Sequence, residues 1–260
     1  MVGIGSAIWA ESLKVRKSKM FWLSILAAVF MAAMLGFMII IAGNPELAAK
    51  LGLLGSKSSM LKYADWPAYM GLLCQITSAL GLIGYGFVIS WMFGREYSDR
   101  TVKDLLALPF PRSYIVVSKL IVVAVWSTLL SFVLLITALL AGLLAGLPGG
   151  SYSVVINGAA TFGMTALLAL IVSPPVAFFA SYGRGYLPPM GYIIITILLG
   201  QFSIALGVAQ YFPWAVPGLY SMAASGDGQQ PGSISYVLLV LVGIAGIILT
   251  YAWWRYADQH

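Results

Sequence analysis

Residues 21 to 43 run without a single charge, and comparable apolar runs recur at 68–93, 115–147, 154–181, 188–209 and 234–254. A helix needs about 20 such residues to cross the hydrocarbon of a bilayer. Nothing constrains this chain more, because lipid leaves a backbone almost no choice except closed helices. Hydrophobic residues make up 61% of the 260 and charged residues only 8%, against about 25% charged in soluble domains. The pattern predicts an all-α polytopic membrane protein: one transmembrane domain over 1–260 with six spans. It excludes a water-soluble enzyme. The first run is too long for the apolar part of a signal peptide and is expected to remain as a span.

Between the second and third runs lies the most ionic stretch of the chain. Residues 94–119 carry Arg95, Arg100, Lys103, Arg112 and Lys119 together with Glu96, Asp99 and Asp104. Val102, Leu105, Leu106 and Pro109 fall at i, i+3, i+4 and i+7, one apolar stripe on a helix. Glu96 with Arg100 and Asp99 with Lys103 are acid-before-base pairs at i, i+4 on the other face. Ser98 is the expected N-cap, and Leu108-Pro109 the expected stop. The spacing therefore predicts a short amphipathic helix over 98–109 at a membrane surface, within a segment spanning 94–114.

Residues 1–20 mix Ile8, Trp9, Leu13 and Val15 with Lys14, Arg16, Lys17 and Lys19, which reads either as an interfacial amphipathic helix or as a basic lead-in that orients the first span. The GLLGSKSS sequence at 52–59 lacks the spacing of a phosphate loop. Ser113 is expected to cap a third helix reaching Leu147, with Lys119 snorkelling to the surface. Pro148-Gly149-Gly150 makes a tight turn. Pro174-Pro175 must bend or break the fourth span, as a hinge or as a static kink. Residues 210–232 are aromatic and proline-broken, suited to an interfacial belt or to short helices that re-enter the bilayer. With six spans, eleven of the 14 lysines and arginines share a side with both termini and three lie opposite. The positive-inside rule then puts both termini and the 94–114 segment in the cytoplasm of a cell-membrane protein. That orientation also accounts for the net charge of +6 without nucleic acid.

What is missing matters as much. The spans, read inside their ends, hold no Asp, Glu, His or Arg of the kind that marks proton-coupled carriers. The single Cys74 and single His260 leave almost no transition-metal ligands. Hydrolytic chemistry lacks its side chains, so the chain is not expected to be an enzyme or to hold a cofactor. Its driving force must come from a separate subunit. The other readings are an autonomous channel or ion-coupled carrier, with sodium held by backbone carbonyls, and a non-transporting scaffold or sensor.

The run from Glu96 to Leu120 resembles the segment between spans two and three of ABC-2 type permeases, particularly the bacitracin and lantibiotic-immunity branch. Glu96, Arg100-Thr101, Leu105-Leu106, Pro109, Arg112 and Lys119-Leu120 carry the likeness, as does the layout of basic N-terminus, six spans and a broken segment before the last. Many relatives have Gly where this chain has Arg100. The resemblance implies a homodimeric permease that binds two copies of a cytoplasmic ATPase, with ATP and Mg²⁺ held by that partner. It implies that Glu96, Asp99, Arg100, Thr101, Val102, Lys103, Asp104, Leu105, Leu106 and Pro109 couple the two proteins. Val102, Leu105 and Leu106 would anchor the contact, and Glu96 would hold the helix base through Arg100 or a basic N-terminal residue. The other reading of the segment is a solvated loop whose charges orient the spans. Thr77, Tyr85, Ser127, Ser131, Asn157 and Thr161 are candidates to line a cleft for an amphipathic cargo such as an antimicrobial peptide or lipid-like compound; polar residues at helix contacts give the same pattern.

Overall fold

A computed structural model describes residues 3–43, 65–102, 105, 111–226 and 228–257. Helices account for nearly all of it: α1 (Ile4–Arg16), α2 (Lys19–Gly43), α3 (Trp66–Ser98), α4 (Arg112–Leu144), α5 (Tyr152–Val172), α6 (Pro175–Tyr182), α7 (Leu187–Ala205), α8 (Val216–Ala224) and α9 (Ser233–Tyr256), with two 3₁₀ turns between α7 and α8. Six spans are long and apolar enough to cross a membrane, α5 and α6 together forming the fourth. The chain is a multi-pass membrane protein.

Local chemistry sets each boundary. Asp65 accepts from the Ala68 amide at 2.9 Å and Pro67 sits in the first turn, so α3 starts at Trp66, before the expected residue 68. It then runs unbroken to Ser98, beyond the expected 93. The fourth helix stops at Leu144 rather than Leu147, and the seventh at Ala205 rather than 209. In each case a glycine in the left-handed conformation follows, Gly146 at φ 63° and Gly207 at φ 71°. Ser113 does not cap α4, whose N-cap position is Pro111.

At Pro174-Pro175 the fourth span breaks. Pro174 cannot donate to the Leu170 carbonyl, and the Ser173 hydroxyl replaces it at 2.7 Å. The carbonyl of Ile171 loses its donor to Pro175. It lies so close to Gly243 of α9 that no Cβ would fit there, and Gly246 meets the Pro174–Pro175 backbone in the same way. The break is thus clasped by α9.

Helix α3 is the hub, packing on α4, α5, α6, α7 and α8, while α2 lies on α4 and α9 on α6. One core cluster joins Val15, Val88, Trp91, Phe93, Trp126 and Trp254. Outward faces carry exposed Phe30, Phe37, Phe132, Leu140, Phe202 and Ile248, a surface that only hydrocarbon or another apolar chain solvates well. Between α7 and α9 the chain doubles back: Trp214 meets Tyr192 edge-on at 5.9 Å, then Gly218 lies beside Ser78 and Ser225 beside Gly71.

Candidate functional site

The end of α3, the start of α4 and the N-terminal helix meet in a buried ionic knot. Lys119 is 1% exposed. Its ammonium donates to Glu96 Oε1 at 2.8 Å, Glu11 Oε2 at 3.1 Å and the Met92 carbonyl at 3.1 Å. All three ammonium protons are therefore used. Lys14 closes the ring, 3.0 Å from both Glu11 Oε1 and Glu96 Oε1. Burial works against the Lys14 charge, but the Glu11 and Glu96 carboxylates outweigh it and hold its ammonium above the ordinary lysine value. Two carboxylates and two ammonium groups cancel, the condition under which buried charge is tolerated. Lys119 does not snorkel, because α1 lies across the start of α4 and offers Glu11 in place of water.

Glu96 also governs how α3 ends. Its second oxygen accepts from Thr101 Oγ1 at 2.5 Å, and its carbonyl accepts from the Thr101 amide at 2.9 Å. The Arg100 amide bonds to the Tyr97 carbonyl at 3.2 Å and Arg100 itself has φ 58°. These two bonds around a left-handed residue form a Schellman motif. Ser98 is accordingly the last residue of α3 and not the cap of a new helix. Glu96 pairs with Lys14, one of the two partner types expected, and not with Arg100. Arg95 takes Asp99 at 2.8 Å and lies over the Trp91 ring. Asp99 and Arg100 are exposed.

Val102 and Leu105 are helical, and both turn inward. Val102 is 6% exposed and Leu105 packs on the cluster that holds Val15 and Trp91. Val102 therefore packs against this chain's own body. Lys103, Asp104, Leu106 and Pro109 lie outside the described residues. Arg112 donates to the carbonyls of Trp254 and Arg255 at 3.3 and 3.1 Å, tying α4 to the C-terminal end of α9.

Deeper in the body, two apolar cavities flank one polar pair. Ser131 donates to the Ser127 carbonyl at 2.9 Å, so the Tyr85 hydroxyl is the donor in the 2.5 Å bond to Ser131. A cavity of about 370 Å³ opens between α2 and α3, lined among others by Leu23, Thr77, Gly84, Tyr85 and Ser131. The other, about 340 Å³, lies between α3, α4 and α5 and shares Tyr85 and Ser131. Ser127 is fully buried and lines neither, and its hydroxyl has no partner among the described residues. Asn157 faces outward and Thr161 donates to the Asn157 carbonyl at 3.0 Å; neither lines either of these two cavities. Pro174 and Pro175 sit at the break clasped by α9.

Residues 7–203, from α1 to the end of α7, match the model of the ABC-2 family transporter proteins. The chain belongs to that family. It is also 29% identical over 209 residues to the bacitracin transport permease of Bacillus licheniformis, an alignment covering 76% of this chain and 98% of the relative. No solved structure matches. The chain is thus a membrane subunit of an ABC transporter. All four members of the ionic knot of this ABC-2 protein lie within the matched region. Sequence reasoning missed Glu11. The available signal was a lone acid three residues before Lys14 on an otherwise basic helix.

Proposed function

We propose that this chain is the permease of an ATP-driven transporter that exports or clears an amphipathic compound, such as an antimicrobial peptide or lipid-like molecule. A separate cytoplasmic ATPase, in two copies, supplies ATP hydrolysis with its own bound Mg²⁺, and two copies of the permease form the path. The charged end faces the cytoplasm and the 98–109 segment receives the stroke. Asp99 and Arg100 present charge to the ATPase, with Lys103, Asp104, Leu106 and Pro109 continuing the contact surface. Glu96, Thr101, Val102 and Leu105 transmit its movement into the body.

The observation that carries this reading is the ionic knot. Glu96 grips Thr101 at the head of the segment and, through Lys119 and Lys14, grips α4 and α1. A push on the segment is then a push on three helices at once. The relative's association with bacitracin supports an amphipathic cargo, and the apolar cavities on either side of Tyr85–Ser131 offer it room. The 210–232 segment would re-enter the opposite leaflet and close the path there.

Co-expression with an ABC ATPase from the same genome tests the assignment. The expected result is a complex that survives purification and loses its ATPase when Asp99→Arg and Arg100→Glu are combined, since reversed charge across an interface costs affinity and register. Normal retention of the ATPase by that variant, or cargo movement by the permease alone in vesicles, contradicts it.

A further inference from the structure

A second site shares Lys14 with the knot. Lys14, Lys17, Ser18, Lys19 and Met20 face Trp91 and Arg95 across a recess of about 380 Å³, within the ~300–1,000 Å³ range of small-molecule sites. Two of its four cations are committed: Lys14 to Glu11 and Glu96, Arg95 to Asp99. Lys17 and Lys19 are exposed and have no ion pair among the described residues. Ser18 caps α2, its Oγ accepting from the Phe21 amide at 3.1 Å, so the start of a 25-residue helix also points into the recess. An anion is the chemistry this wall favours.

One turn further along the same two helices the lining changes completely. Past Met20 and Trp91 come Leu23, Ala27, Ile83, Gly84 and Phe87, the wall of the apolar cavity between α2 and α3. Leu23 and Ile83 are exposed at its mouth. A cationic recess one helical turn from a hydrocarbon slot on the same two helices matches a molecule with an anionic head and an apolar tail. We infer that the groove between α2 and α3 is a binding site for a phosphate-headgroup lipid, its phosphate on Lys17 and Lys19 and its acyl chain beside Gly84. Basic recesses between membrane helices are a recurrent solution for anionic headgroups. Lys14 belongs to both the recess and the knot, so the headgroup sits one side chain from Glu96.

The test uses the full-length chain in nanodiscs with acyl-spin-labelled phosphatidylglycerol or phosphatidylcholine. The expected result is an immobilised fraction with a preference on the order of 25-fold for phosphatidylglycerol, falling about fivefold for each of Lys17→Gln and Lys19→Gln. Gly84→Leu, which grows into open space, should weaken immobilisation of both lipids and leave the preference in place. Equal immobilisation of the two lipids by the native chain overturns the site. So does a preference that survives Lys17→Gln with Lys19→Gln. Displacement of phosphatidylglycerol by inorganic phosphate, beyond a chloride control of equal ionic strength, would make it a free-phosphate site and overturn the lipid assignment. Capture of the ATPase through Lys17 and Lys19, with no lipid preference, would assign the patch to that protein instead.

Discussion

The charged end and the middle of the bundle treat polar groups in opposite ways. Around Lys119 each ammonium proton is spent, and four ionic groups from α1, α3 and α4 are locked together by direct bonds of 2.8–3.1 Å. Around Tyr85 and Ser131 a short chain of hydroxyls stands between two cavities, and the neighbouring Ser127 hydroxyl is unpartnered among the described residues. Fully satisfied ionic networks hold one geometry. Cavities forfeit contacts on one side and leave room for rearrangement. In the function proposed above, the first region suits transmission and the second suits accommodation.

Lys119→Ala should separate the regions most sharply. It leaves two buried carboxylates sharing only Lys14, and breaking a buried ion pair from one side costs about 3–5 kcal/mol, read as a large fall in Tm in detergent. Little or no change in Tm would mean that the knot is open to water. Thr101→Val removes one charged hydrogen bond while keeping the shape, and about 1–2 kcal/mol should be lost. Arg100→Gly relaxes a left-handed residue and should gain up to about 1 kcal/mol, with ATPase binding weakened by the missing charge. In the middle of the bundle, Tyr85→Phe should cost only about 0.6 kcal/mol, the average for hydrogen bonds between membrane helices. Smallest of all, Ser127→Ala should stay within about 0.5 kcal/mol or stabilise slightly, since no bond is lost. A costly Ser127→Ala would show that the hydroxyl has a partner and that the middle is as tightly satisfied as the end.

The six spans were legible because length and apolarity alone define them in lipid, and the break at Pro174-Pro175 because proline chemistry is local. The knot was only partly legible. Its ion pairs join residues 82 and 108 positions apart in sequence, and no periodicity links positions on different helices. Lys119 in an apolar run reads as a snorkelling side chain unless Glu11 is known to lie over it. The Ser98 cap failed for a different reason: a serine before charged residues is the right chemistry for a helix start, but the Glu96–Thr101 bonds had already ended α3 two residues later. That left-handed position also explains why glycine suits the place where this chain has Arg100. The inward turn of Val102 could not be read from a stripe, which gives a face but not what the face meets.

The most direct measurement is cargo transport per ATP hydrolysed by the permease and its ATPase reconstituted together, comparing the native chain with Glu96→Gln. This substitution keeps the side-chain shape and removes the charge that joins Thr101 to Lys119 and Lys14. The expected result is an intact complex that hydrolyses ATP while moving several-fold less amphipathic peptide for each ATP. An unchanged ratio in an intact complex would contradict the claim that the stroke passes through the knot.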